Sequence, residues 1–162
     1  MPSDPTSREY RDSVGMFTTG ITVVTAASER FGHGMTANAF ASVSLDPLLV
    51  LVCVVKDAMM HKVLDEVRRF AVSVLAADQE DLARYFSDSG RPTGMAQFRP
   101  VAWRPGPVTG APLLDGALAE LTAPEDRYGL YARDAILAKD YIKALRLRAV
   151  VARQRWRRLA SG

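Results

Sequence analysis

Between positions 21 and 86 short apolar runs alternate with polar punctuation, and the period within each run assigns it to a strand or a helix. The run ITVVTA at 21–26 is β-branched and short, ERFG at 29–32 reads as a hairpin loop, and a second strand starts from about Gly34. Asp46-Pro47 then interrupts the chain before 48–55 (LLVLVCVV), whose unbroken apolarity predicts a strand covered on both faces, at the centre of a small barrel. Over 59–69 the spacing of Met60, Val63, Leu64 and Val67 is helical, and FAVSVL at 70–75 returns to strand character. Asp78 is placed to cap a further helix in which Leu82, Tyr85 and Phe86 share a face. Ahead of all of these, Ser7 can cap a helix over 8–17, with Tyr10, Val14 and Phe17 on one side and Gly20 ending it.

The segment 87–110 carries four prolines and four glycines, so a long irregular surface loop is expected, anchored by Phe98 and Trp103. Loops of that kind commonly serve function. Strands are expected at 117–122 and near 135–147, although Lys139-Asp140-Tyr141-Ile142-Lys143 fits a helix as well as a strand.

Composition narrows the class. With 162 residues, the chain has room for a single domain spanning 1–162. Its 48% hydrophobic and 24% charged content is that of a folded globular protein rather than a disordered chain. The apolar run at 48–55 falls well short of the roughly 20 residues of a membrane-spanning helix. Met1 begins a stretch carrying Asp4, Arg8, Glu9 and Arg11 with no apolar core, unlike a secretory signal, so the expected location is the cytoplasm. Cys53, the only cysteine, excludes an intrachain disulfide, and with two histidines, His33 and His61, a metal site is not expected. Cys53 reads as a small buried hydrophobe and each histidine as a surface residue. The net charge of +3 is unevenly placed, since Arg146, Arg148, Arg153, Arg155, Arg157 and Arg158 crowd the carboxyl end. That run fits a solvated edge and tail, or a surface for nucleic acid or a phosphorylated ligand.

Chemistry concentrates in 34–47, GMTANAFASVSLDP, where small and hydroxyl side chains alternate with apolar ones. Small residues let a planar ligand approach the backbone, whose N–H groups can meet ring carbonyls and nitrogens, a pattern that suits an isoalloxazine ring. Thr36, Asn38, Ser42 and Ser44 add neutral donors and acceptors, and strand alternation would bring Ser42 and Ser44 to one side. A polar barrel strand whose hydroxyls bond neighbouring backbone accounts for the same composition.

The ordered runs TTGITVVTA at 18–26, GMTANAFASVSLDP, LVLVCV at 49–54, FAVSVLAADQEDLARYF at 70–86 and GAPLLDGALAEL at 110–121 together resemble the flavin reductase family with the FMN-binding split barrel. The resemblance implies a mainly β fold with flanking helices, a split β-barrel. It also implies a homodimer that binds FMN or FAD, uses NADH or NADPH as co-substrate, and passes reduced flavin to a partner monooxygenase. By position in the matched motif, Thr36, Ala37, Asn38 and Ala39 would line the flavin ring, and Ser42, Val43 and Ser44 would contact its pyrimidine side or ribityl chain. Lys56 would meet the flavin phosphate, or is a solvent-exposed turn lysine. The resemblance supplies no catalytic acid or nucleophile, because the cofactor performs the redox step.

Three positions depart from the family pattern. Ala39 stands where the family offers serine, and Ala58-Met59-Met60 is apolar where it tends to have hydroxyls. Near the carboxyl end the family carries Gly-Asp-His, whereas the chain has Arg133-Asp134-Ala135-Ile136-Leu137, so the nicotinamide site is either rebuilt or lost. A flavin reductase is therefore the first reading. A flavin enzyme of the same fold acting on an organic substrate is the second, and a non-enzymatic module binding through the arginine-rich end is the third.

Overall fold

Thr22–Ala27 (β1, TVVTAA) is buried at all six positions, because it lies inside a four-stranded antiparallel sheet with side chains packed on both of its faces. Its threonines can be buried because each hydroxyl finds a carbonyl: Thr22 Oγ1 donates to Ala37 O at 2.6 Å, and Thr25 Oγ1 donates to Pro112 O. The computed structural model describes Met16 and residues 19–29, 31–45 and 48–123. The expected helix over 8–17, apart from Met16, and the whole of 124–162, including 135–147 and the arginine-rich end, lie outside the described residues.

In chain order β1 is followed by β2 (Gly32–Ala37), β3 (Phe40–Leu45), β4 (Leu48–Val52), α1 (Met59–Val67), β5 (Phe70–Val74), α2 (Glu80–Ser87), a 3-10 helix (Gly94–Phe98), β6 (Trp103–Pro105), β7 (Pro112–Leu114) and β8 (Ala119–Ala123). The main sheet has the order β2-β1-β5-β8, while β3 pairs with β4 and β6 with β7 in two-stranded ribbons.

Strand alternation divides the packing cleanly between the two faces of the main sheet. Val24 and Ala26 of β1 and Phe70 and Val72 of β5 pack with Val50 and Val52 of β4 and with Met60, Val63 and Leu64 of α1. The helical period read from the sequence is the one that points these three α1 side chains inward, each contributing about 1.5–3 kcal/mol of apolar burial. Val23, one residue along, faces the other way and packs with Ala83 and Phe86 of α2, with Phe98, and with Leu114 of β7. On the same side, buried Ser73 Oγ accepts a hydrogen bond from Leu114 N at 3.0 Å, tying the β6–β7 ribbon to β5.

Several sequence expectations change here. The strand covered on both faces is β1 and not 48–55; β4 ends at Val52 and pairs with β3, and Val55 is 48% exposed. Hydropathy misranked the two because the threonines and alanines of β1 lower its apolar score while satisfying themselves internally. The stretch 34–47 is not one strand: β2 leaves the main sheet after Ala37, and β3 begins a separate ribbon at Phe40. Asp78 does not cap α2, whose N-cap position is Gln79. The loop 87–110 contains the 3-10 helix and β6, with Phe98 buried and Trp103 half-buried as its anchors.

Candidate functional site

Where the chain crosses from the main sheet to the β3–β4 ribbon, Phe40 N donates to Asn38 O at 2.9 Å in a tight turn, and Cys53 N donates to Ala39 O at 3.0 Å. These two bonds hold the end of β2 beside the segment that follows β4. Between them lies a cavity of about 340 Å³, walled by residues 35–39 on one side and by 53–55 with Ala58 on the other. The volume is in the lower part of the range for small-molecule sites. Four residues singled out from the sequence, Thr36, Ala37, Asn38 and Ala39, therefore meet at one cavity.

The wall is made of small and neutral side chains. Ala37 is buried, and Asn38 and Ala39 are exposed. Thr36 is anchored from behind, its hydroxyl donating to Ala83 O of α2 at 2.7 Å. Such a lining lets a flat ring lie against the backbone and leaves recognition to main-chain groups and the Asn38 amide.

Ser42, Val43, Ser44 and Lys56 are not among the residues lining this cavity. Ser42 stands opposite Val50 and Ser44 opposite Leu49, so β3 advances two residues while β4 advances one. That bulge breaks the alternation and turns the two serines to opposite sides of the ribbon, with Val43 58% exposed between them. Lys56 is exposed in the turn between β4 and α1.

Sequence reasoning missed Met35, Cys53, Val54, Val55 and Ala58 as cavity residues. Their proximity to Ala39 depends on the Cys53–Ala39 bond and the ribbon register, which no local pattern encodes. Cys53 is half-buried just beyond β4, and burial pushes its thiol pKa up, which disfavours the nucleophilic thiolate. A larger, open hollow of about 640 Å³ lies between the 3-10 helix and β6, with Arg99 and Asp115 among its lining, away from the cavity at 35–39. Among the described residues no group of three His, Cys, Asp or Glu side chains could hold a metal ion, and no helix is long and apolar enough to cross a membrane.

His61 contacts Asp65 through Nδ1 at 3.0 Å, one turn along α1. His33 lies in the β1–β2 hairpin, opposite Ala26, but is not a surface side chain: it is half-buried, with a buried Nδ1 that has no hydrogen-bond partner. Burial, and then the positive charge of Arg91, lower its pKa to about 4. That value lies below the unfolded one near 6.5, so the unfolded chain takes up the proton first as pH falls. The stability this group allows is whole above about pH 6.5 and lost progressively down to about pH 4. Full linkage would amount to roughly 3 kcal/mol, reduced to about 2 kcal/mol by solvent access to the ring. Urea titrations between pH 7.5 and 4.5 should show that loss in the native chain, and His33→Leu should flatten it; an unchanged slope in the variant would remove His33 as its source.

Residues 14–125 match the family model described as flavin reductase like domain. The chain is 53% identical over 119 residues to the NADH-dependent FAD reductase of Streptomyces globisporus, a match covering 73% of this chain and 65% of that protein. The chain thus spans a little under two thirds of the length of that curated relative. Among solved structures it is similar to the NADH:FAD oxidoreductase SgcE6 of Streptomyces globisporus C-1027 in complex with NAD and FAD fragments, with TM-score 0.76 and 42% identity, covering 91% of this chain and 83% of that one. It is also similar to BorF, the flavin reductase component of a bacterial two-component tryptophan halogenase, with TM-score 0.75 and 46% identity over 88% of this chain and 84% of that one.

Proposed function

The chain belongs to the flavin reductase like domain family, and on that premise we propose that it is an NADH-dependent flavin reductase supplying reduced FMN or FAD to a partner monooxygenase. The observation that carries the reading is the cavity at the end of β2, where Thr36, Ala37, Asn38 and Ala39 present small neutral side chains and accessible backbone. Those residues would hold the isoalloxazine ring, while from outside the cavity Lys56 would approach the flavin phosphate and the β3 segment Ser42, Val43 and Ser44, whose two serines lie on opposite sides of the ribbon, would offer one side to the ring edge or ribityl chain. A bound flavin supplies hydride acceptance at its ring and release of electrons to a second acceptor. The protein's part is to orient the ring and exclude water from its face, a task for which the apolar side of the cavity at Val54, Val55 and Ala58 is suited. Residues 1–162 would form one split-barrel domain, working as a cytoplasmic homodimer. The choice of NADH over NADPH follows the similarity to the NADH-dependent FAD reductase and the NADH:FAD oxidoreductase of Streptomyces globisporus.

The test is anaerobic stopped-flow absorbance with FMN and NADH, following the oxidised flavin band near ~450 nm as the cofactor is reduced. Rapid bleaching is expected. A flavin that binds but stays oxidised would overturn nicotinamide use and favour a flavin enzyme acting on an organic substrate, the reading motivated by the absence of Gly-Asp-His at Arg133-Asp134-Ala135.

A further inference from the structure

An edge strand turns half of its backbone groups away from the sheet, and those groups need partners from elsewhere. β2 is such a strand, and at Gly34 both outward groups are met by side chains. The Gly34 N–H donates to Gln97 Oε1 at 2.9 Å, and the Gly34 carbonyl accepts from Arg91 Nη2. Arg91 also donates from Nη1 to the Asp88 carbonyl and from Nε to Gln97 Oε1 at 3.4 Å, while its Cζ lies 5.8 Å from the centre of the Phe86 ring. One guanidinium thus joins the end of α2, the 3-10 helix and the edge strand at a single residue. The next residues along β2, Met35 and Thr36, begin the cavity wall.

The fork matters more than the charge. Lysine carries the same charge on a point-like ammonium and cannot reach the Gly34 carbonyl, the Asp88 carbonyl and the Gln97 amide in one planar arrangement. We infer that Arg91, which does not line the cavity, is a positioning residue for it, fixing through Gly34 the placement of residues 35–39 against the flavin ring. A site that binds through backbone groups tolerates displacements of only about 0.5 Å before its contacts are lost. The inference rests on the flavin reading of that cavity.

Arg91→Lys and Arg91→Met are compared with the native chain and with Leu113→Val, a core change on the opposite side of the main sheet from β4 and α1. FMN affinity is read by fluorescence, KM and kcat from NADH oxidation, and stability from thermal unfolding. Lysine keeps the charge and is the variant that folds if methionine does not. Losing one charge-assisted bond at Gly34 should weaken FMN binding and raise its KM about tenfold, with kcat at saturating FMN unchanged. Leu113→Val should lower the unfolding temperature while leaving FMN affinity alone. Native FMN affinity in Arg91→Lys overturns the inference, as does an equal loss of affinity in Leu113→Val at equal loss of stability. A native chain that binds no FMN overturns the flavin reading itself, and the inference with it.

Discussion

Gln97→Leu should destabilise the fold by about 3–5 kcal/mol, since removing one buried amide leaves several backbone groups without partners, each at about 1–3 kcal/mol. Gln97 has no exposed surface, and its side chain is fully engaged. Nε2 donates to Gly32 O at 3.1 Å and to Gly94 O at 2.8 Å, while Oε1 accepts from Gly34 N at 2.9 Å and from Arg91 Nε at 3.4 Å. Leucine fills a similar volume, so the loss measures hydrogen bonding rather than a cavity. For a chain of this size the unfolding temperature should fall by roughly 10 °C, read by circular dichroism on thermal melts. A loss below about 1 kcal/mol would mean that water replaces the amide at all of these groups.

Gly34→Ala should cost about 2–3 kcal/mol through overpacking. A Cβ at Gly34 would lie 2.6 Å from Cε1 and 2.8 Å from Cδ1 of Phe86, and 3.2 Å from Cζ of Phe98. Both rings are buried and packed against each other with centroids 5.6 Å apart, so neither has room to retreat. The requirement is steric. A double-mutant cycle with Phe86→Leu, followed by urea unfolding, should show the two changes to be non-additive, because leucine vacates the space that the new methyl group needs. Strict additivity would locate the cost of Gly34→Ala elsewhere.

Much of this fold is legible in local pattern, and the exceptions share a cause. α1 and β5 follow directly from period, since Met60, Val63 and Leu64 recur on one helical face and FAVSV is short and apolar. The site was legible in part: the small residues at 36–39 do line a cavity, because small side chains beside hydroxyls mark backbone left open to approach. Position within the sheet was not legible. The run LLVLVCVV outranks TVVTAA in hydropathy, yet the second occupies the centre, since a buried threonine with a carbonyl partner costs little and hydropathy cannot see the partner. Gln97 and Arg91 lie in a segment rich in proline and glycine, where polar residues ordinarily face water. Their burial depends on Gly34, more than sixty residues earlier for Gln97, and no short-range signal announces it. The Ser42–Ser44 bulge is likewise invisible, because it depends on the register of two strands and not on the composition of either.

The central position of β1 also bears on how the chain is made. Thr22–Ala27 leaves the ribosome well before its partners: its neighbour β5 follows only with Phe70–Val74, and the carbonyl that accepts from Thr25 belongs to Pro112, 87 residues further on. At ordinary rates of synthesis that interval is on the order of ten seconds. Until β5 is complete a β-branched segment with hydrogen-bonding potential on both edges has only β2 as its sheet neighbour, and until Pro112 emerges the Thr25 hydroxyl lacks its acceptor, so the nascent chain is exposed to wrong strand pairing for longer than the finished sheet suggests. Holdase capture of ribosome-bound chains stopped before residue 112 should be strong, and should fall once Pro112–Leu114 has emerged and the last layer can close over β1.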